Sequence, residues 1–434
     1  MKTLVSVILT IVAAAGLWAQ ETGAYPTADL AAFLREAEAN SPAIRAAAAR
    51  LSAAQSVPSR ASALPDPEVS VAYLNDGISS FTLGESEFST LSFTWSQEVP
   101  YPGKRGDREE VAAHESQRAS SELERVRLEV LAAVKSAYAD LYRFDQTTLI
   151  LSETKAVLEA FAEAARRRYE VGEGIQESVL KAQTEILRLE AGLARVAQDR
   201  RSAEVRLNAA AGRAADTAIG PAGFIPEAEL PADAERLADR AVEISPAIAA
   251  LRATVLRSEA AVRLARLDLK PDFLWSASYQ NRDGLEPMVM GSFGLRLPIY
   301  RERKQRQALL QSEADLLAVN HDLAEVQIQA RASVRELIAR FTRADRLRTL
   351  FGQGVIPQAR SALESAQSAY GVGRLGFLEL LNDLTVLLDA RIDLVAQEAE
   401  RVQALAALEP LVVEDLIRVQ EGPGGQGGRH ADND

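Results

Sequence analysis

The sequence predicts a mainly α-helical chain that also carries β-strands of membrane-spanning type and is built from two copies of one unit. Three observations carry that prediction: a repeated set of landmarks, four segments that alternate strictly between apolar and polar residues, and helix-forming stretches too long for a compact domain.

The landmarks keep one order with little drift. Ser41-Pro42-Ala43-Ile44 returns as Ser245-Pro246-Ala247-Ile248, and Pro67-Glu68-Val69 returns as Pro271-Asp272-Phe273, both at an offset of 204. Val99-Pro100-Tyr101 with Lys104-Arg105 matches Leu297-Pro298-Ile299 with Arg303-Lys304, and Tyr169-Glu170-Val171-Gly172 matches Tyr370-Gly371-Val372-Gly373. A duplicated unit of about 200 residues replaces the two or three ordinary domains that the length alone would suggest. The expected division is a signal peptide over 1–19, a first repeat over 20–220, a second over 221–421 and a disordered Gly-rich tail over 422–434.

Met1-Lys2, the apolar stretch from Leu4 to Leu17 and the small residue Ala19 have the charge, core and cleavage pattern of a secretory signal; cleavage after Ala15 is the alternative. No cysteine occurs, so neither a disulfide framework nor an acylated N-terminal cysteine is expected. Beyond the signal no run of about 18 apolar residues exists, so any crossing of a bilayer is expected to use strands. Helices over about Thr27 to Ala63 and Ala232 to Lys270 precede each strand pair, with Pro58 expected to break the first.

The strands follow. Val69, Val71 and Tyr73 face away from Ser70 and Ala72, and Leu91, Phe93 and Trp95 face away from Ser92, Thr94 and Ser96. In the second unit Phe273, Trp275 and Tyr279 oppose Ser276, Ser278 and Gln280, while Val289, Phe293, Leu295 and Leu297 oppose Ser292 and Arg296. Each is close to the 9–11 residues that a tilted strand needs to cross a bilayer. A half-buried sheet in a soluble domain would alternate in the same way. Turn residues in Asn75-Asp76-Gly77 and Asn281-Arg282-Asp283-Gly284 mark the hairpin loops.

Between Gly106 and Gly172 there is no glycine or proline, which predicts a helix about 100 Å long. Leu123, Val126, Val130, Ala133 and Ala137 form one apolar stripe and Leu131, Val134, Tyr138 and Leu141 another, so this helix is expected to pack on two sides. Ile175 to Ala211 runs back, interrupted at Gly192. Arg301 to Phe351 and Phe377 to Glu409 repeat the pair, with a local rearrangement expected at Gly352-Gln353-Gly354-Val355-Ile356-Pro357. High alanine content and only 6% aromatic residues suit closely packed helices.

Four strands cannot close a membrane barrel, and an open edge leaves backbone groups unsatisfied in lipid, so the chain is expected to oligomerise. A dimer would supply eight strands and a trimer twelve; the strand count does not choose. The net charge of −12 and the lack of a concentrated basic block argue against nucleic acid, and Arg166-Arg167-Arg168 reads as a solvated helix face. His114, His321 and His430 have no metal-site spacing, the acidic residues are scattered, and no nucleophile elbow or phosphate loop occurs, so neither an enzyme nor a cofactor is expected. A periplasmic coiled-coil adaptor or scaffold would share the signal and the helices, but would not need strands of bilayer length.

Gln97-Glu98-Val99-Pro100-Tyr101-Pro102-Gly103-Lys104-Arg105, Tyr169-Glu170-Val171-Gly172 with Val179-Leu180-Lys181-Ala182-Gln183, and Tyr370-Gly371-Val372-Gly373 with Phe377-Leu378-Glu379-Leu380-Leu381 resemble the TolC family of outer-membrane efflux proteins. The resemblance runs from about Asp29 to Val419. It implies a homotrimer in the outer membrane: a twelve-stranded barrel continued by a twelve-helix periplasmic barrel, serving as exit duct of a tripartite efflux pump or a type I secretion system, fed by an inner-membrane transporter through a periplasmic adaptor. The Pro-Gly-Lys-Arg form is similar to that of members associated with metal-cation efflux.

On this reading Val171, Gly172, Glu173, Gly174, Val372, Gly373 and Arg374 form the periplasmic tips that meet the adaptor, and Tyr169, Tyr370 and Arg374 are gate candidates. By resemblance Tyr370 matches the gate tyrosine; Arg374 lies one place short of the gate arginine, and Ser178 stands where an acidic residue is common. Packing at a helix end is the plainer reading of both tyrosines. Pro67, Pro100, Pro271 and Pro298 are read as swivels where strand becomes helix, or simply as strand terminators. Tyr73, Trp95, Trp275 and Tyr279 are candidates for the bilayer-interface girdles.

Overall fold

A computed structural model of the chain describes residues 27–418 other than 79–81, 83–85, 87 and 232; the expected signal and tail lie outside the described residues. In the first half, helices α1 (Leu30–Asn40), α2 (Pro42–Gln55) and α3 (Val57–Ala61) lead to strands β1 (Glu68–Leu74) and β2 (Thr90–Val99). The long α4 (Lys104–Glu170) and the return helix α5 (Gln176–Ala210) follow. In the second half β3 (Glu227–Ala228), α6 (Leu237–Ile244) and α7 (Pro246–Leu267) lead to β4 (Asp272–Asn281) and β5 (Met288–Arg296). Then come α8 (Gln305–Thr349), α9 (Ile356–Gly371), α10 (Phe377–Val412) and β6 (Ile417–Arg418).

The repeated Ser-Pro pair makes the same corner twice. Proline disfavours the helical region for the residue before it, and Ser41 (φ −57°, ψ 120°) and Ser245 (φ −56°, ψ 129°) are both extended, so each helix stops and restarts at its proline. The first break is therefore at Pro42, and a second follows at Ser56, where the expected break near Pro58 falls: Pro58 sits as second residue of α3, where its missing N–H costs nothing. The expected 232–270 helix is likewise split at Pro246.

Helix α4 runs 67 residues without interruption, about 100 Å at 1.5 Å per residue. Of its two stripes, Val134, Tyr138 and Leu141 are fully buried against α1 and α5, while Ala133 of the other is exposed. Gly192 does not interrupt α5; it lies inside the helix, where its hydrogen faces Leu151 of α4. In the second half the Gly-x-Gly segment does break the helix. Leu350–Val355 forms a π-helical turn between α8 and α9, where Pro357 cannot donate and two glycines relax the backbone.

Alanine is the commonest buried residue among those described, so the helices approach closely. Two matching cores lie midway along the helices: α1 packs on α4 and α5, and α6 packs on α8 and α10. Lys135 of α4 and Glu409 of α10, both almost fully buried, pair at 2.6 Å and bind the two halves together; Glu409 also accepts from the amides of Leu416 (2.9 Å) and Ile417 (3.1 Å).

The four long strands form one antiparallel sheet in the order β1-β2-β4-β5, so the two halves meet at β2 and β4. β1 and β5 are its open edges.

Candidate functional site

Register places the predicted apolar residues that lie within the strands on one face; Leu297 falls one residue beyond β5. Val69 pairs with Trp95, Val71 with Phe93, Phe93 with Tyr279, Phe273 with Leu295 and Trp275 with Phe293. That face is bare: Val69, Val71, Val289 and Phe293 are all more than half exposed. The other face carries Thr94 and Ser278 (3.1 Å), Ser276 and Ser292 (2.7 Å), and the ion pair of Arg296 with Glu98 (2.5 Å). Among the described residues no helix is long and apolar enough to cross a membrane. The sheet's apolar face is the surface that suits hydrocarbon.

Tyr73 and Tyr279 lie toward the loop end of the sheet, and Trp95 and Trp275 toward the helix end. Pro67 and Pro271 stand immediately before β1 and β4, Pro100 immediately after β2 and Pro298 two residues after β5. A proline there takes no hydrogen bond from the ladder.

At the far end, the hairpins α4–α5 and α9–α10 turn alike. Gly172 (φ 78°) and Gly373 (φ 76°) are left-handed. Behind them the amide of Glu173 donates to the Arg168 carbonyl (2.8 Å) and that of Arg374 to the Ala369 carbonyl (2.9 Å), the six-to-one bond that closes a glycine-capped helix. Val171 and Val372 point into solvent, 71% and 69% exposed, and Glu173 and Arg374 are exposed as well, with Gly174 tucked back against the Arg168–Tyr169 backbone.

The tyrosines at the tips differ. Tyr169 is exposed, whereas Tyr370 meets Phe377 edge-on at 6.0 Å and lies under the guanidinium of Arg168 at 5.1 Å. Arg168 Nη1 also donates to the Tyr370 carbonyl at 2.5 Å. Burial raises the Tyr370 phenol above its ordinary pKa, with Arg168 pulling the other way. Below them Leu158, Ala182, Leu363, Phe377 and Leu380 form one apolar cluster shared by both hairpins.

Arg168 is the tip residue that the sequence reading missed. Its neighbours Arg166 and Arg167 do form a solvated face, paired along the helix with Glu170 and Glu163, but one step round the helix Arg168 faces the second hairpin. Its place two residues before Gly-capped Glu170 was the only signal. Among the described residues no group of three or more His, Asp or Glu side chains could hold a metal ion.

A sheet with one apolar face and open edges, continued by the helix α4 about 100 Å long and ending in paired helical tips, is the architecture of a membrane-anchored protein with a long helical extension. Residues 33–213 and 237–412 match the model of the outer membrane efflux protein family, and the chain belongs to that family. It is 26% identical over 282 residues to the outer membrane efflux protein BepC of Brucella suis biovar 1 (strain 1330), covering 63% of this chain but only 60% of that protein. It is 23% identical over 375 residues to the cobalt-zinc-cadmium resistance protein CzcC of Cupriavidus metallidurans (strain ATCC 43123 / DSM 2839 / NBRC 102507 / CH34), covering 85% of this chain and 86% of that one. Its fold is similar to the crystal structure of the outer membrane protein VceC from Vibrio cholerae, with a TM-score of 0.75 at 20% identity, over 88% of this chain and 96% of that one. The chain is thus an outer-membrane efflux protein.

Proposed function

We propose that three copies of this chain close a twelve-stranded barrel in the outer membrane and continue it as a twelve-helix periplasmic barrel. The assembly conducts substrates passively outward from an inner-membrane transporter and its periplasmic adaptor. The observation that carries this is the four-stranded sheet itself: its apolar face is bare, its opposite face is polar, and both its edges are unpaired. Only closure with other copies satisfies those edges in lipid.

In this reading 20–220 and 221–421 are the two repeats. Val171, Gly172, Glu173, Gly174, Val372, Gly373 and Arg374 meet the adaptor, and Tyr169, Tyr370 and Arg374 gate the duct where the tips converge. Pro67, Pro100, Pro271 and Pro298 redirect the chain between sheet and helices. Tyr73, Trp95, Trp275 and Tyr279, all on the apolar face, are the candidates for the aromatic girdles at the bilayer interfaces.

Divalent metal cations are the substrate class the reading favours, supported by the similarity to CzcC over most of both chains and by the Pro-Gly-Lys-Arg segment. The test is deletion of the gene followed by growth on cobalt, zinc and cadmium and, in parallel, on dyes and detergents. Restoration of metal tolerance alone by the plasmid-borne gene supports metal export. Restoration of dye tolerance alone reassigns the substrate, and restoration of neither contradicts export.

A further inference from the structure

The joint between the two halves of the chain is a worked example of the joint that the chain still lacks. At the β2–β4 seam Val99 pairs with Phe273. Tyr101 stacks on Phe273 at 6.3 Å and its amide donates to Asp272 Oδ1 at 2.8 Å. Lys104, 2% exposed, reaches the same carboxylate oxygen at 2.8 Å, the Lys270 carbonyl at 3.3 Å and Asp268 at 3.4 Å. Gly103 (φ 99°) lets this turn press on Leu267, where a Cβ would lie 2.9 Å from Cδ1. Lys104 thus bolts the exit loop to the acidic entry of the next strand, while its neighbour Arg105 donates to the Ser62 carbonyl at 2.6 Å.

The repeat supplies the apolar, proline and charged parts of that joint at the two open edges, with Glu302 standing in place of Gly103 and Leu64 in place of Asp268. Pro67-Glu68-Val69 enters β1 as Pro271-Asp272-Phe273 enters β4, and Leu297-Pro298-Ile299 with Arg303-Lys304 leaves β5 as Val99-Pro100-Tyr101 with Lys104-Arg105 leaves β2. Here the parts are bare. Val69 is 69% exposed, Leu297 58% and Ile299 73%, and Glu68, Arg303 and Lys304 are exposed without an ion-pair partner among the described residues. β5 ends and β1 begins at the helix end of the sheet, so antiparallel pairing of one copy's β5 with another's β1 brings the basic exit beside the acidic entry.

We infer that a second copy of this chain fills each edge by repeating the internal joint, with Arg303 and Lys304 of one copy gripping Glu68 of the next. Transfer of the internal register sets Leu297 opposite Val69, Leu295 opposite Val71 and Phe293 opposite Tyr73, which continues the apolar face across the seam. Ile299 then covers Val69 as Tyr101 covers Phe273. This inference rests on the barrel reading and adds to it the register and the residues that fix it. One-residue slips are excluded because they would turn the apolar face inward, which leaves two-residue slips for the charges to reject.

The chain has no cysteine, so introduced pairs report without background. The variant V69C/L297C, oxidised in isolated outer membranes, should yield covalently linked dimers and trimers, while V69C/L295C, one slip away, should yield few. R303E/K304E should lower the temperature at which the detergent-extracted oligomer dissociates, and adding E68K should raise it again. An intact oligomer that crosslinks through V69C/L295C instead, or that ignores the charge reversal, overturns the inference and leaves the barrel standing. Extraction of the unaltered protein as a monomer overturns both.

Discussion

Arg168, two residues before the end of α4, donates from Nη1 to the carbonyl of Tyr370, the penultimate residue of α9, at 2.5 Å, and lays its guanidinium over the same residue's ring at 5.1 Å. One side chain of the first hairpin thereby fixes the second at its tip. The acceptor is backbone, so the bond depends on Arg168 and on the position of residue 370 but not on the phenol.

R168A should therefore free the second hairpin, and Y370F should not. A charge-assisted bond and a partly exposed cation–π contact together amount to about 1–3 kcal/mol. Spin labels on V171C/V372C, both at exposed sites, should show a broader distance distribution in R168A and an unchanged one in Y370F.

The two tip glycines should not be equally sensitive. Both are left-handed, which costs an ordinary residue about 1–2 kcal/mol, but a Cβ on Gly373 would also lie 3.1 Å from Arg168 Nη2, while that on Gly172 meets open space. G373A should impair efflux-dependent resistance more than G172A, and valine at either position should impair it further with oligomer yield preserved. Loss of the oligomer would contradict the tip assignment.

Much of this was legible before the structure. Alternation at Leu91 to Ser96 and at Phe273 to Gln280 gave the faces of the sheet, because a period of two leaves no choice of side once one face must be apolar. The uninterrupted span after Gly106 gave α4, and the Gly-x-Gly and Pro357 marked a local rearrangement without specifying its π geometry. What sequence could not give was partnership across the halves. Lys135 and Glu409 are 274 positions apart, and nothing near either one marks it as buried. Arg168 looked like Arg166 and Arg167 because helical phase alone separates them. Gly192 misled because a glycine without a competing bond partner does not end a well-packed helix.

Removing one partner of the Lys135–Glu409 pair strands the other in the interior. Breaking a buried pair costs about 3–5 kcal/mol, so K135M should lower the unfolding temperature clearly, as should E409L, which also strips the Leu416 and Ile417 amides of their acceptor. The double variant should lose less than the sum of the two, as measured by thermal unfolding in detergent.

Acid sensitivity should carry the mark of Glu400. Its hydrogen bond from Arg340, aided by Arg343, holds this carboxyl below the ordinary carboxylate range despite partial burial. A folded pKa below the unfolded one adds stability that is complete above about 4.5 and lost as pH falls through the folded value. E400Q should therefore show a shallower decline in unfolding temperature on acidification. Glu409 has the opposite sign: burial raises its pKa against the pull of Lys135, so its contribution is present at low pH and is lost as pH rises through the folded value.

The central claim is that each chain supplies four staves to a barrel that no single copy can close. Native mass spectrometry of the detergent-extracted protein from outer membranes tests it most directly. The expected result is a species of three chains that survives gentle activation; a lone chain in the detergent micelle, or recovery of the protein in the soluble fraction, would contradict the account.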